Sequence, residues 1–390
     1  MSYTFSLVFS AVFSLMAAFA NAETPGVYKN RILFGQSAAF SGPAKNLGSD
    51  MKLGIEAAFS EVNEKGGVHG RILKLLSVDD YYEPDAAIVN TRQLIEDDKV
   101  FALIGAVGTP TSRSSTPIAR AANVPYLAPF TGAAFLRDPD LANVINLRAS
   151  YYQETEEMVE RLITDLGIDR IAAIYQNDSF GWAGFSGVKR ALSKRGLSPA
   201  ATGVYPRNTT AVKTALIEIQ QGLPEAVIII GAYEPVAETI IWAKKMGMDA
   251  IFFTISFVGG DALVQKLGPS GIGVYVTQVV PFPKSTEHRV AAAYRDALES
   301  FAPSAAPGFV SFEGYLAGRL AIHALELCGE DPKRSCLIDD LKKSGQIDID
   351  GFVLQYDMND NQGSDEVYLT VIGDGGIHQP IKSLRDEAIK

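Results

Sequence analysis

The chain has 390 residues, 47% hydrophobic, 21% charged and 9% aromatic, a globular composition that excludes disordered, collagen-like and coiled-coil classes. Acidic side chains outnumber basic ones 45 to 35, for a formal charge of −10; a nucleic-acid-coating protein needs a basic face to displace counterions and is excluded. Two cysteines, Cys328 and Cys336, are too few for a disulfide framework or a four-cysteine zinc site.

At about 150 residues per domain, the length predicts two to three domains. Residues 5–20 form an apolar run without a charge, followed by Ala20-Asn21-Ala22 and Glu23. Small residues closing an apolar stretch too short to span a bilayer comfortably predict a cleaved export signal over residues 1–22. From Arg31 the chain alternates apolar runs with amphipathic helices. Ile32-Leu33-Phe34-Gly35 predicts a strand that enters a Ser-Gly-Pro turn at Ser41. The helix after it places Leu47, Met51, Ile55, Ala58 and Val62 at spacings of three and four, and stops at Gly66-Gly67. Further strands are expected at Arg71–Val78, Phe101–Gly105 and Val124–Ala128.

The alternation restarts after Asn146-Leu147-Arg148. Strands are predicted at Arg170–Tyr175, Ala226–Gly231, Ile251–Ile255 and Val274–Val279, with a helix through Val188 and Leu192 between the first two. Glu287–Leu341 is helical in pattern. Phe352–Tyr356 and Val367–Ile372 are then expected as two strands around the Asn/Asp/Gly turn at Asn359–Gly363. Such βαβ runs bury a parallel sheet between helices, so the expected class is α/β with two doubly wound units. Cys328 and Cys336 flank a short polar loop. In an oxidising compartment they form either a disulfide that staples two helices or a pair of buried thiols.

In open α/β sheets ligands sit beyond the carboxyl ends of the strands. In the first unit those loops carry Ser37–Pro43, Ala106–Ser112 with Thr109, and Pro129-Phe130-Thr131-Gly132. In the second they carry Asn177–Trp182 with Phe180, Ala232-Tyr233-Glu234-Pro235, and Ser256-Phe257-Val258-Gly259. Hydroxyls and free amides at helix starts suit an anion, and aromatic faces opposite suit a small organic solute with a polar head. The competing reading makes Thr109, Ser179 and Ser256 helix caps and the aromatics core. Six loops on one face favour a binding site.

No catalytic pattern accompanies these loops. The four histidines have no metal-ligand spacing, Gly184–Val188 misses the nucleophile elbow at its last position, and no phosphate loop or G-x-G-x-x-G occurs. Asp357–Gly363 has its glycine one place late for a calcium loop and Tyr368 where the last ligand belongs. Asp79-Asp80 reads as a strand-end cap in preference to a metal pair. No cofactor, no metal and no catalytic residue are expected.

Taken in order, the loops carry a resemblance. Ser41-Gly42-Pro43 with Gly48, Val62-Asn63 with Gly66–Gly70, Asp79-Asp80 with Pro84, Ile104-Gly105 with Thr109, Pro125 with Pro129, Phe180-Gly181, and Gly231-Ala232-Tyr233 with Pro235 resemble the periplasmic solute-binding proteins of ABC importers, leucine/isoleucine/valine-binding type. The resemblance implies a type I periplasmic binding protein fold: two doubly wound, Rossmann-like lobes joined by a three-strand hinge, with a ligand cleft between them. It divides the chain into residues 31–147 plus 280–350 for lobe 1 and 148–279 plus 351–390 for lobe 2. It implies a carboxylate held at Thr109, Thr131 and Gly132, cleft aromatics at Phe180 and Tyr233, and a side-chain pocket including Leu47; Phe130 lies in the same loop cluster. Family members that bind amino acids place an acidic residue where Ser256 stands here, followed by Phe257. An ammonium buried without a counter-charge costs several kcal/mol unless Glu234 or Asp178 takes over. The ligand expected is therefore a small carboxylate-bearing solute other than a standard amino acid. The partners implied are that small molecule and an inner-membrane ABC permease, or a signalling receptor if the protein is a sensor, with a monomer in the periplasm. An exported hydrolase or isomerase is the reading from another class.

Overall fold

The structure, a computed structural model, describes residues 24–385; the expected signal at residues 1–22 lies outside the described residues. The first half builds β1 (Arg31–Ala38), α1 (Lys45–Glu64), β2 (Ile72–Asp79), α2 (Pro84–Arg92), β3 (Ala102–Ile104), α3 (Thr109–Ala121), β4 (Tyr126–Leu127) and β5 (Val144–Ile145). These strands form one five-stranded sheet in the order β2-β1-β3-β4-β5, parallel throughout.

The chain then leaves this sheet for a second one. Ser150 opens α4 (Tyr151–Leu166) with a capping box to Gln153, and Gly167 ends it with φ 71°, the start and stop that Ser-x-x-Gln and a trailing glycine encode. There follow β6 (Ile171–Gln176), α5 (Ser179–Ser193), β7 (Thr202–Tyr205), α6 (Lys213–Gln220), β8 (Ala226–Ile230), α7 (Tyr233–Lys245), β9 (Ile251–Thr254), α8 (Gly260–Leu267) and β10 (Tyr275–Gln278). Every residue of β6 and β8 is buried, as the near-continuous apolar runs of an interior parallel strand require. In β7 only alternate residues are buried, which fits its place at the sheet edge.

The last hundred residues return to both sheets. α9 (Arg289–Phe301), α10 (Phe309–Cys328) and α11 (Arg334–Ser344) come first, then β11 (Gln346–Ile349), β12 (Phe352–Gln355), β13 (Tyr368–Gly373) and β14 (Ile377–Ile381). α10 crosses α1 at backbone contact. A Cβ at Gly54 would lie 1.8 Å from the Ser311 carbonyl oxygen, and one at Gly314 2.3 Å from that of Met51. Only residues without side chains permit that approach. Cys328 at the end of α10 and Cys336 in α11 are joined as a disulfide with Cα atoms 5.7 Å apart, so the alternative of two buried thiols falls.

The second sheet is completed as β14-β13-β10-β9-β8-β6-β7, with β13 antiparallel to β10 and β14 antiparallel to β13. Both strands expected around the Asn359–Gly363 turn form, but they do not pair with each other. β12 instead pairs antiparallel with β11 in a separate hairpin. The reason lies in the turn residues between them. Asn361 and Gly363 are bonded to Asn146 (Asn146 N to Asn361 O 2.7 Å, Gly363 N to Asn146 O 2.9 Å), and the Tyr356 hydroxyl donates to the Asn146 carbonyl at 3.1 Å. Two of the three crossings between the sheets are thereby stitched to each other.

Candidate ligand cleft between the lobes

The carboxyl ends of both sheets face one another, and the loops that follow the strands meet there. β2 ends in Asp79-Asp80, whose carboxylates shape the next turn. Asp79 accepts from Phe40 N at 2.8 Å, Ser41 Oγ at 2.6 Å and Tyr81 N at 2.9 Å. Asp80 accepts from Ser37 Oγ at 2.8 Å and Tyr82 N at 2.9 Å, and burial pushes its carboxyl up to about 7. These bonds hold Tyr81 and Tyr82 at φ 56° and 60°, a left-handed turn that sends the Tyr82 ring into the contact between the lobes.

Thr109 is the first residue of α3, and its hydroxyl lies 2.7 Å from that of Thr131; Thr131 in turn donates to the Tyr151 hydroxyl at 3.1 Å. The Gly132 carbonyl accepts from Tyr151 N at 2.7 Å. Phe257 extends from the second lobe into an aromatic cluster. Its ring centroid is 4.4 Å from Phe180, 5.3 Å from Phe130 and 6.1 Å from Tyr82. Leu47 and Tyr233 form a neighbouring patch. The Tyr233 hydroxyl accepts from Asn46 N at 3.4 Å, and Gly259 (φ 75°) packs so closely that a Cβ there would sit 2.5 Å from Leu47 Cδ2. All nine sequence-predicted residues, Leu47, Thr109, Phe130, Thr131, Gly132, Phe180, Tyr233, Ser256 and Phe257, are buried, and the contacts above bring them to the face where the lobes meet.

The capping reading of the hydroxyls does not hold at these positions. α5 is capped by Asp178, which accepts from Phe180 N and Gly181 N, not by Ser179. α3 begins after Gly108 with no side-chain cap. Ser256 is engaged with buried charge: its hydroxyl accepts from Arg148 Nη2 and donates to Glu154 Oε1 at 3.0 Å.

That charge cluster went unnoticed in the sequence. Arg148 is fully buried and pairs with Glu154 at 2.9 Å and Glu313 at 3.5 Å. Its guanidinium carbon lies 5.2 Å from the Phe130 centroid and 5.8 Å from that of Tyr151. Against the cost of burial, the two carboxylates raise its affinity for its proton. Glu154 also accepts from Ser256 N at 2.8 Å and Thr277 Oγ1 at 2.6 Å, so one carboxylate fixes the Ser256 loop. Burial pushes the Glu313 carboxyl up to about 7, with Arg148 opposing and Glu154 adding to the rise. The available signal was an arginine inside the apolar Ile145–Ala149 run and a glutamate inside the apolar stretch of α10. Glu234 is committed to Lys266 at 2.8 Å, and Asp178 to the α5 cap, to Gln176 Nε2 at 2.7 Å and to Arg207 at 3.6 Å.

Two lobes with parallel sheets, three crossings and strand-end loops meeting between them define a bilobal ligand-binding architecture. A family model described as periplasmic binding protein matches residues 32–376, and the chain belongs to that family. A possible leucine/isoleucine/valine-binding protein from Rhodopirellula baltica superimposes with a TM-score of 0.86 at 37% identity, over 93% of this chain and 98% of that one. A substrate-binding periplasmic protein from Ralstonia solanacearum gives 0.84 at 26%, over 90% and 99%. A Leu/Ile/Val-binding protein homolog from Brucella abortus is 29% identical over 207 residues, 50% of this chain and 51% of that protein. The match to such curated relatives therefore spans about half of their length. The family and the type I fold expected from the loop words are the ones found.

Proposed function

We propose that this protein captures a small organic solute in the periplasm by closing two lobes on it and delivers it to an inner-membrane ABC permease, without chemistry on the solute. In this reading residues 31–147 with 280–350 form one lobe and 148–279 with 351–390 the other. The observation that carries the proposal is the Phe257 ring from one lobe packed among Phe130 and Tyr82 of the other beside Phe180. A ligand with an apolar body takes its place among these rings, with its carboxylate toward Thr109, Thr131 and the Gly132 region.

The ligand carries a carboxylate and is not a standard amino acid. Where an ammonium would need a counter-charge, the Ser256 hydroxyl has its hydrogen on Glu154 and its lone pair on Arg148. Glu234 and Asp178 are both engaged elsewhere. An ammonium placed there would meet a guanidinium and no free carboxylate.

A thermal-shift screen of aliphatic and aromatic carboxylates against their α-amino counterparts tests this. A ligand at 100 times its dissociation constant adds about 2.7 kcal/mol to stability, and small-angle scattering with it should give a smaller radius of gyration than without. Thr131→Val should weaken binding of the carboxylate. Tighter binding of leucine than of its deaminated analogue would overturn the ligand class, and a product appearing from bound ligand would overturn the absence of chemistry.

A further inference from the structure

A cavity of about 400 Å³ lies between the lobes and shares no lining residue with the aromatic cluster. That volume is within the range of small-molecule sites, about 300–1,000 Å³. Its walls come from α1 (Asp50), α8 (Asp261), the segment running from β10 to α9 (Phe282), the start of α10 (Phe309) and β14 (His378), so both lobes contribute.

Of the polar side chains lining it, Gln265 and Lys284 are exposed and the Ser311 hydroxyl is engaged with Tyr294 and the Gly308 carbonyl, which leaves Asp50, Asp261 and His378. Asp50 and Asp261 are close enough that burial, and then the charge of Asp261, push the Asp50 carboxyl up to about 6. Among the described residues neither carboxylate has a lysine or arginine within ion-pair distance, although the charge of Asp261 acts on the buried His378 ring and opposes the fall in its basicity that burial causes; Lys284 stands at the exposed rim. Asp261 Oδ2 accepts from Phe309 N at 3.1 Å, which fixes it in place. The third acceptor is His378, only 6% exposed. The Thr370 hydroxyl donates to the Val276 carbonyl at 3.1 Å, so its lone pair faces His378 Nδ1 at 3.2 Å. This pattern assigns the ring proton to Nδ1 and the acceptor role to Nε2, which lies beside the Gly260 backbone. Nε2 has no hydrogen-bond partner, and a buried polar atom left so costs about 1–3 kcal/mol. Two aromatic rings join an otherwise largely aliphatic wall: Phe282 and Phe309 have centroids 5.9 Å apart, and Phe309 meets the His378 ring edge-on at 5.4 Å.

We propose that this cavity is a second binding site, for a small organic ammonium ion. An ammonium brings several N–H donors, which two carboxylates and a bare imidazole nitrogen would accept, and a cation is attracted by the faces of the neighbouring rings. A metal ion does not suit the geometry. Among the described residues the only three His, Cys, Asp or Glu ligand atoms within 4.8 Å of one another are those of Cys328, Cys336 and Asp340. Because both lobes line the cavity, its occupant stabilises the same arrangement of the lobes that the solute does, through different residues.

Benzylammonium, with benzyl alcohol as its uncharged counterpart, is the probe for calorimetry on the full mature chain. Benzylammonium should bind the wild type, with the alcohol weaker by at least about tenfold, or about 1.4 kcal/mol. Asp50→Asn and Asp261→Asn should each weaken the ammonium by a similar factor; asparagine keeps an oxygen acceptor for Phe309 N. As a measurement that needs no variant, the Asp50 carboxyl followed by NMR should titrate well below 6 once benzylammonium is saturating. Failure of benzylammonium to bind, equal affinity for the alcohol, unchanged affinity in both variants, or an unmoved Asp50 titration would each overturn the proposal. None of these outcomes bears on the solute cleft, whose residues are untouched.

Discussion

Arg148 sits where burial is most expensive for a charge, and its surroundings explain why it is tolerated. Glu154 neutralises it from one side, the Glu313 carboxyl stands on the other, and Ser256 and the Phe130 ring fill the rest of its surface. Arg148→Ala would strand two buried carboxylates, and removal of one partner of a buried pair costs about 3–5 kcal/mol; urea denaturation should record that loss. Glu313 makes the same cluster pH-sensitive. Its carboxyl moves from an ordinary 4.5 to about 7 on folding, so between those values the folded chain holds a proton that the unfolded chain has released. Stability from this group is complete below about 4.5, falls as pH rises, and is lost above about 7. Asp80 acts with the same sign. Glu313→Gln should flatten the slope between pH 4.5 and 7 in a pH series of melting temperatures without abolishing it. At this scale the sequence was least legible: residue type marked Thr109, Thr131 and the cleft aromatics, but nothing local announces that Arg148 and Glu313, 165 positions apart, will meet.

Elements were legible in proportion to the length of their apolar pattern. α1, β1, β6, β8 and α10 stand close to where periodicity places them, because each buries a long face. β5, β7, β11 and β14 were missed, having two to five residues; β7, β11 and β14 are also polar or half-exposed, so no run rises above the loops around them. The strands expected at Phe352–Tyr356 and Val367–Ile372 both stand, yet they join different sheets. The turn-like sequence between them does not close a hairpin, because Asn361 and Gly363 bond their backbone groups to Asn146. The α10–α11 staple was readable because only two cysteines exist and a short loop separates them. Closing so short a loop is worth about 2.5 kcal/mol. Reduction with dithiothreitol, or the Cys328→Ser/Cys336→Ser pair, should lower stability by about that much in chemical denaturation and leave the solute affinity unchanged.

For the whole molecule, the two lobes are joined at the rim of their contact as well as at its centre. Glu83 beyond β2 accepts from Arg207 at 2.6 Å and from Asn208 Nδ2 at 2.6 Å, and Asn208 also donates to the Tyr81 carbonyl at 3.3 Å. These bonds join the turn after one sheet to the segment after β7 in the other, so opening must break them. Arg207 and Glu83 remain partly solvated, and such pairs contribute about 0.2–1 kcal/mol. Arg207→Ala should therefore weaken solute binding only by about fivefold or less, while scattering from the unliganded protein shifts toward a larger radius of gyration. A loss many times greater would mark Arg207 as a ligand contact.

The three crossings also set an order in time. α1 of the first lobe is packed against α10, which the ribosome makes after β10, and the second sheet waits for β13 and β14 near the end of the chain. Neither half is contiguous, so neither can bury its full set of partners while it is being synthesised. Strand pairings as distant as Tyr275 with Val371 carry a loop-closure cost that slows folding. A nascent chain of this topology stays unfinished until almost its last residues have emerged, the state in which a protein can still be threaded through a translocation pore.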